Sequence, residues 1–369
     1  MFSKKQINQS LWLRGTDSST VQIIDQRFLP FELVVVDLNT SGDVISAIRD
    51  MKVRGAPLIG VAAAFGIYLA CKEQPDSDRY LDEVFHKIKM TRPTAVNLFY
   101  ALDLQKKMVL EERAPEKRAE IAFRVARELM EAEINACQMI GESGYPLIKN
   151  IFKNRSGESV QILTHCNAGW LATIKFGTAL APVYRAHEKG IPLHIWVDET
   201  RPRNQGARLT AWELQKAGIS CSIITDNAGG YLMQNGNIDL VLTGSDRTAR
   251  NGDSANKIGT YLKALAASDN GIPFYVAVPS SSVDWNMNSG LFIPIEERLA
   301  DEIHYMTGMT DAGTMETIKI TPEGSCARNF GFDVTPARLI TGLITERGIC
   351  DASETGLHTI FPEKSERHD

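Results

Sequence analysis

Two side chains able to carry protons each follow a short apolar run. Cys166 lies in Leu163-Thr164-His165-Cys166-Asn167-Ala168-Gly169-Trp170, and Asp246 in Thr243-Gly244-Ser245-Asp246-Arg247. A strand entering an Asn/Gly turn that opens a helix would set the thiol at the positive end of a helix dipole, favouring thiolate. A lone cysteine is more often a small buried hydrophobe, and a lone aspartate a turn residue or a partner for Arg247. Placement at strand ends is what raises both above that background. No Gly-x-Ser-x-Gly or Ser/His/Asp arrangement competes, and His165 should point away from Cys166 if the pleat continues.

Three polar segments offer anion or hydroxyl contacts. Arg54-Gly55-Ala56-Pro57 precedes an apolar helix, whose free N–H groups with Arg54 would seat a phosphate, or merely start the helix. Asn251 to Lys257 is expected to enter a helix, with Ser254 as cap and Asn256 and Lys257 facing an anion. The loop Glu199 to Gly206 presents Gln205 to a sugar hydroxyl, while its charges are free to pair. Gly-x-Gly-x-x-Gly and Gly-x4-Gly-Lys-Ser/Thr are absent, which argues against classical dinucleotide and ATP sites. The cysteines at 71, 137, 166, 221, 326 and 350 form no Cys-x-x-Cys pair or zinc-type cluster. No metal or organic cofactor is expected.

At 369 residues the chain should form two domains, 1–153 and 154–369, divided at the polar stretch Lys153 to Ser159. In the first, Trp12–Arg14, Val21–Ile24 and Glu32–Leu38 look like strands. Helices follow after Ser41, at Leu58–Cys71, at Ala95–Leu110 beyond Pro93, and at Glu116–Ile140, ending near Gly141. Leu58–Cys71 is apolar nearly all round but, at 14 residues, too short to span a bilayer. In the second, apolar runs at Val160–His165, Leu193–Val197, Cys221–Thr225, Leu240–Thr243 and Phe274–Val278 alternate with helical patterns. These patterns are Leu171–Lys189, Ala207–Ala217, Gly229–Met233 and Ala255–Ala267. The expected class is α/β: a Rossmann-like parallel-sheet C-terminal domain behind a smaller, mixed, mainly helical N-terminal one. Cys166, Asn167, Asp198, Glu199, Asp226 and Asp246 would gather on the carboxyl rim of that sheet. The polar tail from Ser353 is expected to be loosely ordered.

The net charge of −5, with 40 basic and 45 acidic residues closely mixed, shows no concentrated basic surface and argues against nucleic-acid partners. The N-terminus MFSKKQINQSLWLRG lacks the apolar stretch of a signal peptide, so a cytoplasmic protein with reduced thiols is expected.

Longer strings add specificity: VRGAPLIG, TRPTAVNL, LTHCNAG, DETRPRNQGARLTAWEL, TGSDR, NGDSANKIGTY and FDVTP, in that order from Val53 to Pro336. Together they resemble the methylthioribose-1-phosphate isomerase family of methionine salvage. That family is related to the regulatory subunits of the translation-initiation guanine-nucleotide exchange factor, which share its fold and have no known isomerase activity. The resemblance implies that Cys166 and Asp246 are catalytic, and that Arg54, Gly55, Ala56, Arg92, Gln205, Asn256 and Lys257 contact a small sugar phosphate. It also implies a homodimer. The Cys/Asp pair places the chain on the enzyme side, with 5-deoxyribose 1-phosphate or ribose 1,5-bisphosphate as alternative substrates. Arg203 and Asn204 depart from the more apolar family pattern at the site rim. Cys326 to Gly331 also departs, with an expected effect on local packing only.

Overall fold

A computed structural model describes residues 7–15, 20–92 and 95–365; the first six residues and Pro93 lie outside this range. The chain opens with an antiparallel meander of β1 (Leu11–Arg14), β2 (Thr20–Ile24) and β3 (Val35–Leu38). Five helices follow: α1 (Ser41–Arg49), α2 (Ala56–Glu73), α3 (Asp78–Lys89), α4 (Val96–Leu110) and α5 (Pro115–Asn154). Thr40 and Asp43 close a reciprocal capping box that starts α1. Helix α2 is buried from Ala56 to Cys71, as its all-round apolar surface requires. It is long and apolar enough to cross a membrane, yet 89% of it lies inside the protein, where it anchors the first core.

Helix α5 is longer than its periodicity suggested. Gly141 does not end it, and the helix runs on through Gly144 and Pro146 to Asn154. The glycines serve packing instead. Against α6 (Ala181–Glu188), a side chain at Gly141 would press on the Ala181 carbonyl, and one at Gly144 would overlap the Pro182 ring.

The second part is built on a sheet. Strands β4 (Val160–Thr164), β5 (Leu193–Asp198), β6 (Ser220–Ile224), β7 (Leu240–Gly244) and β10 (Phe274–Ala277) match the apolar runs closely. Between them lie α7 (Ala211–Lys216), α8 (Ala228–Gln234) and α9 (Thr260–Asp269), while β8 (Arg247–Ala249) and β9 (Ser254–Lys257) precede α9. The sheet order is Gly348–Cys350, Gly342–Thr345, β10, β7, β4, β5, β6; every pairing is parallel except at the Gly348–Cys350 edge. The fold is thus mixed α/β, a mainly helical N-terminal part followed by a largely parallel sheet.

Three local expectations fail. Of Leu171–Lys189, only α6 and a single turn at Trp170–Ala172 are helical. Residues 173–180 fold back on the Cys166 loop, where Thr178 N–H donates to the Ala168 carbonyl at 2.9 Å. Asn256 and Lys257 do not open a helix: they lie on β9, which pairs with the distant Phe332–Thr335, and α9 begins only after Gly259 turns the chain at φ 103°. The tail from Ser353 is ordered over its described residues. Ser353 caps a helix over Glu354–Ile360, and Leu357 and Phe361 are fully buried, Phe361 edge-on to Trp285.

Gly144→Ala separates helix propensity from packing. Alanine favours an isolated helix by about 1 kcal/mol, but overlap with Pro182 should destabilise this protein by about 1–3 kcal/mol. Thermal melting should show a lower Tm; a rise would mean that α5 and α6 are not closely packed.

Candidate active site

Strands β4 and β7 are parallel neighbours, so the residues that follow them emerge together on the carboxyl rim. Cys166 leaves β4 and Asp246 leaves β7, and both line one cleft of about 680 Å³. Arg54, Gly55, Ala56, Arg92, Gln205, Asn256 and Lys257 line the same cleft, so all nine candidate residues come together. Three rim residues do not. Asp198 accepts from His165 Nδ1 at 2.8 Å, and Asp226 accepts the Thr200 and Arg201 N–H groups at 2.7 and 2.8 Å. Glu199 is likewise absent from the cleft wall. His165, Asp198 and Asp226 cluster tightly, but the Lys263 ammonium lies 3.2 Å from Asp198 and donates to the Asp226 carbonyl, supplying the cation there.

Cys166 is held in a left-handed conformation, φ 64°, which a non-glycine residue keeps only when its surroundings enforce it. Its N–H donates to Thr200 Oγ1 at 2.9 Å, and its carbonyl accepts from Thr210 Oγ1 at 2.6 Å. The next residue is a hub. Asn167 Oδ1 and its carbonyl oxygen accept from the two Arg54 Nη atoms at 2.6 and 2.7 Å. Asn167 Nδ2 donates to Thr210 Oγ1 at 3.1 Å and to Glu213 Oε1 at 2.8 Å. Glu213, fully buried, also accepts the Trp170 and Leu171 N–H groups and the Tyr184 hydroxyl. A side chain at Gly169 would overlap that carboxylate, so only glycine fits there.

The electrostatics differ from expectation at the thiol. No helix starts at Cys166: a single turn begins four residues later, and α6 at Ala181. Burial pushes the thiol up, while Arg54 and Lys257 pull it back. Asp246 behaves as expected. Burial raises its carboxyl, and Arg92, Arg54 and Lys257 oppose the shift.

The cations are poorly compensated. Arg92 is 8% exposed, its Nε and Nη1 make no hydrogen bond, and Glu296 lies 3.5 Å away. Lys257 is 4% exposed and makes no side-chain hydrogen bond or ion pair among the described residues; burial lowers its ammonium. Arg54 is less available than its position before α2 suggested, because Asn167 engages it. Gly55, at φ 94°, lets the first turn of α2 lie against Ala172, where any side chain would overlap backbone. Gln205 keeps an unpaired, buried Oε1, and Asn256 Nδ2 donates to Thr260 Oγ1 at 3.0 Å.

Arg298, Gly331 and Phe332 also line the cleft and were missed. The signal for Arg298 was the run Glu296-Glu297-Arg298 with Glu302 one turn on; Arg298 donates to Glu302 at 2.6 Å. Gly331 corrects the expectation that the departure before Phe332 touches packing alone.

Glu213→Gln removes the charge but keeps the shape. With a neutral amide facing Trp170, Leu171 and Asn167, kcat should fall about tenfold to a hundredfold with KM nearly unchanged. Glu213→Asp should recover less than half of the loss, because the shorter chain cannot reach all four donors. Equal effects on kcat and on thermal stability in both variants would reduce Glu213 to a packing residue.

Residues 52–352 match the Initiation factor 2 subunit family. A protein from Sinorhizobium medicae (strain WSM419) named methylthioribose-1-phosphate isomerase is 55% identical over 358 residues, covering 96% of this chain and 98% of its own. One of the same name from Desulfatibacillum aliphaticivorans is 54% identical, with 96% and 97% covered. Among solved structures, 5-methylthioribose 1-phosphate isomerase from Pyrococcus horikoshii OT3 superposes with TM-score 0.81 at 36% identity, covering 98% of this chain and 99% of that one. Translation initiation factor eIF-2B subunit delta from A. fulgidus gives 0.76 at 34% identity, with 96% and 100% covered. The chain belongs to the Initiation factor 2 subunit family and, within it, stands with the methylthioribose-1-phosphate isomerases.

Proposed function

We propose that this chain converts 5-methylthioribose 1-phosphate to 5-methylthioribulose 1-phosphate in methionine salvage, with Cys166 and Asp246 as its acid/base pair. The observation that carries the assignment is the shared cleft. There the two proton carriers meet Arg92 and Lys257, buried cations with donors to spare for a phosphate. The N-terminus of α2 adds free N–H groups at the same seat. Met51, Pro57, Ala168, Ala172 and Phe332 supply apolar wall for a methylthio group.

The substrate is a cyclic ester, so an acid must open its ring before hydrogen passes from C2 to C1. Burial keeps Cys166 protonated, which suits it to donate a proton. Asp246, raised toward neutrality but kept ionisable by three cations, suits the acceptor. A direct hydride shift is the alternative route, with the pair moving hydroxyl protons only.

Other parts of the proposal rest on different support. The end of α5 at Asn154 favours domains at 1–153 and 154–369, with Ile140 and Ile148 of α5 reaching across to pack in the core of the second. The parallel strand order favours a Rossmann-like second domain. A cytoplasmic homodimer is the expectation from the family.

Cys166→Ser and Asp246→Asn should each lower kcat by about 10³-fold, with melting temperatures near wild type. Near-normal turnover in either would remove that residue from the chemistry. The acid limb of kcat/KM should track Asp246 ionisation and lie above the ordinary carboxylate range, and the alkaline limb should lie above an ordinary thiol, since both groups are raised.

Lys257→Ala should chiefly raise KM. Among substrates, methylthioribose 1-phosphate should exceed 5-deoxyribose 1-phosphate by about tenfold to thirtyfold in kcat/KM, with ribose 1,5-bisphosphate last. A clear win for the bisphosphate would overturn the substrate and leave the isomerase chemistry standing.

A further inference from the structure

Beside the cleft lies a second, smaller hollow, lined by Gln26, Arg27, Arg203 and Arg208 and sharing Met51, Arg54 and Gln205 with the cleft. Its positive charge is incompletely met. Arg27 pairs with Asp25 through two bonds of 2.9 and 2.7 Å. Arg203 Nη1 reaches Glu302 at 2.9 Å, but that carboxylate is shared with Arg298. Among the described residues, Arg208 donates only to backbone, to the carbonyls of Leu29 at 3.0 Å and Arg27 at 2.7 Å, and Arg54 only to Asn167. Four guanidinium groups thus meet two carboxylates. Burial, and then the charge of Arg203, lower the Arg208 guanidinium, so that group carries a desolvation and repulsion cost with no acid to offset it.

The hollow also holds two unmet acceptors. Gln26 and Gln205 are 4% and 7% exposed, and the Oε1 of each accepts no hydrogen bond. A buried amide oxygen without a donor is costly. Guanidinium groups call for anionic oxygens, while amide oxygens call for O–H or N–H. A carboxylate or sulfate meets only the first need at neutral pH, and hydrogen phosphate meets both.

We propose that this hollow is an anion site, separate from the phosphate seat of the cleft, for a phosphate-class anion that also carries an O–H. Because Met51, Arg54 and Gln205 line both, the hollow adjoins the cleft without using Arg92 or Lys257, the cations assigned to the 1-phosphate. Free hydrogen phosphate is the source to which the proposal commits, and the 5-phosphate of a sugar bisphosphate is the source that the test separates from it.

Isothermal titration calorimetry with inorganic phosphate at fixed ionic strength tests this and reads the site even if the isomerase assignment fails. Wild type should bind two equivalents, Lys257→Ala should keep the site in the hollow, and Arg208→Gln should lose it by about tenfold or more in affinity. Arg203→Gln, whose side chain is part-exposed and among the described residues bonds only to Glu302, repeats the test if Arg208→Gln melts early. Both should still turn over methylthioribose 1-phosphate. Sulfate should bind the hollow of Lys257→Ala about tenfold more weakly than phosphate, for want of an O–H. Loss of all phosphate binding in Lys257→Ala, wild-type affinity in both arginine variants, or sulfate binding equal to phosphate would overturn the proposal. The bisphosphate distinguishes the sources: if Arg208→Gln selectively lowers its kcat/KM, the 5-phosphate uses the hollow, and an unchanged ratio assigns the site to the free anion.

Discussion

Charge taken out of water must find an opposite charge or a full set of hydrogen bonds, and the cleft between β4 and β7 is organised around that requirement. Arg92 and Lys257 are almost wholly buried, yet neither is fully paired among the described residues. Such groups are tolerable where a ligand completes them, and a phosphate monoester does so. The same cations lie beside Cys166 and Asp246, where they counter the burial that would otherwise lock both groups in their neutral forms. Binding and chemistry therefore draw on one set of buried charges.

The rest of the molecule holds that set in place. Helix α2 is buried on every side, so its first turn cannot drift from Ala172. From that turn Arg54 grips Asn167, and Asn167 is fixed in turn by Thr210 and the buried Glu213 carboxylate. The N-terminal helices and the sheet thus meet through a continuous hydrogen-bonded chain that ends at the strained backbone of Cys166. A thiol on so constrained a residue has little freedom to leave its working position.

Much of this was legible in the residues. Because strands buried on both faces need continuous apolar sequence, short β-rich runs alternating with helices gave five of the six parallel strands to within a residue or two and missed Gly342–Thr345. The nine site residues came from polar groups at strand ends together with the family resemblance, and the folded chain brings all nine to one cleft. What stayed hidden was non-local. Strand β9 lies between β8, a few residues before it, and the distant Phe332–Thr335, and that second partner has no local signal. Gly141 and Gly144 look like a helix stop until α6 is laid against them. Cys166 owes its electrostatics to burial, opposed by Arg54 and Lys257, which lie far apart in sequence, and not to the helix that its Asn/Gly turn suggested.

The central claim is that Cys166 and Asp246 move the hydrogen itself from C2 to C1, as a proton. It is tested most directly by giving the enzyme methylthioribose 1-phosphate deuterated at C2 in ordinary water and following the ketose by NMR. Proton carriage predicts that protium from water enters C1 in a measurable share of turnovers. Complete retention of deuterium at C1, at every extent of conversion, would contradict it and point to a direct hydride shift.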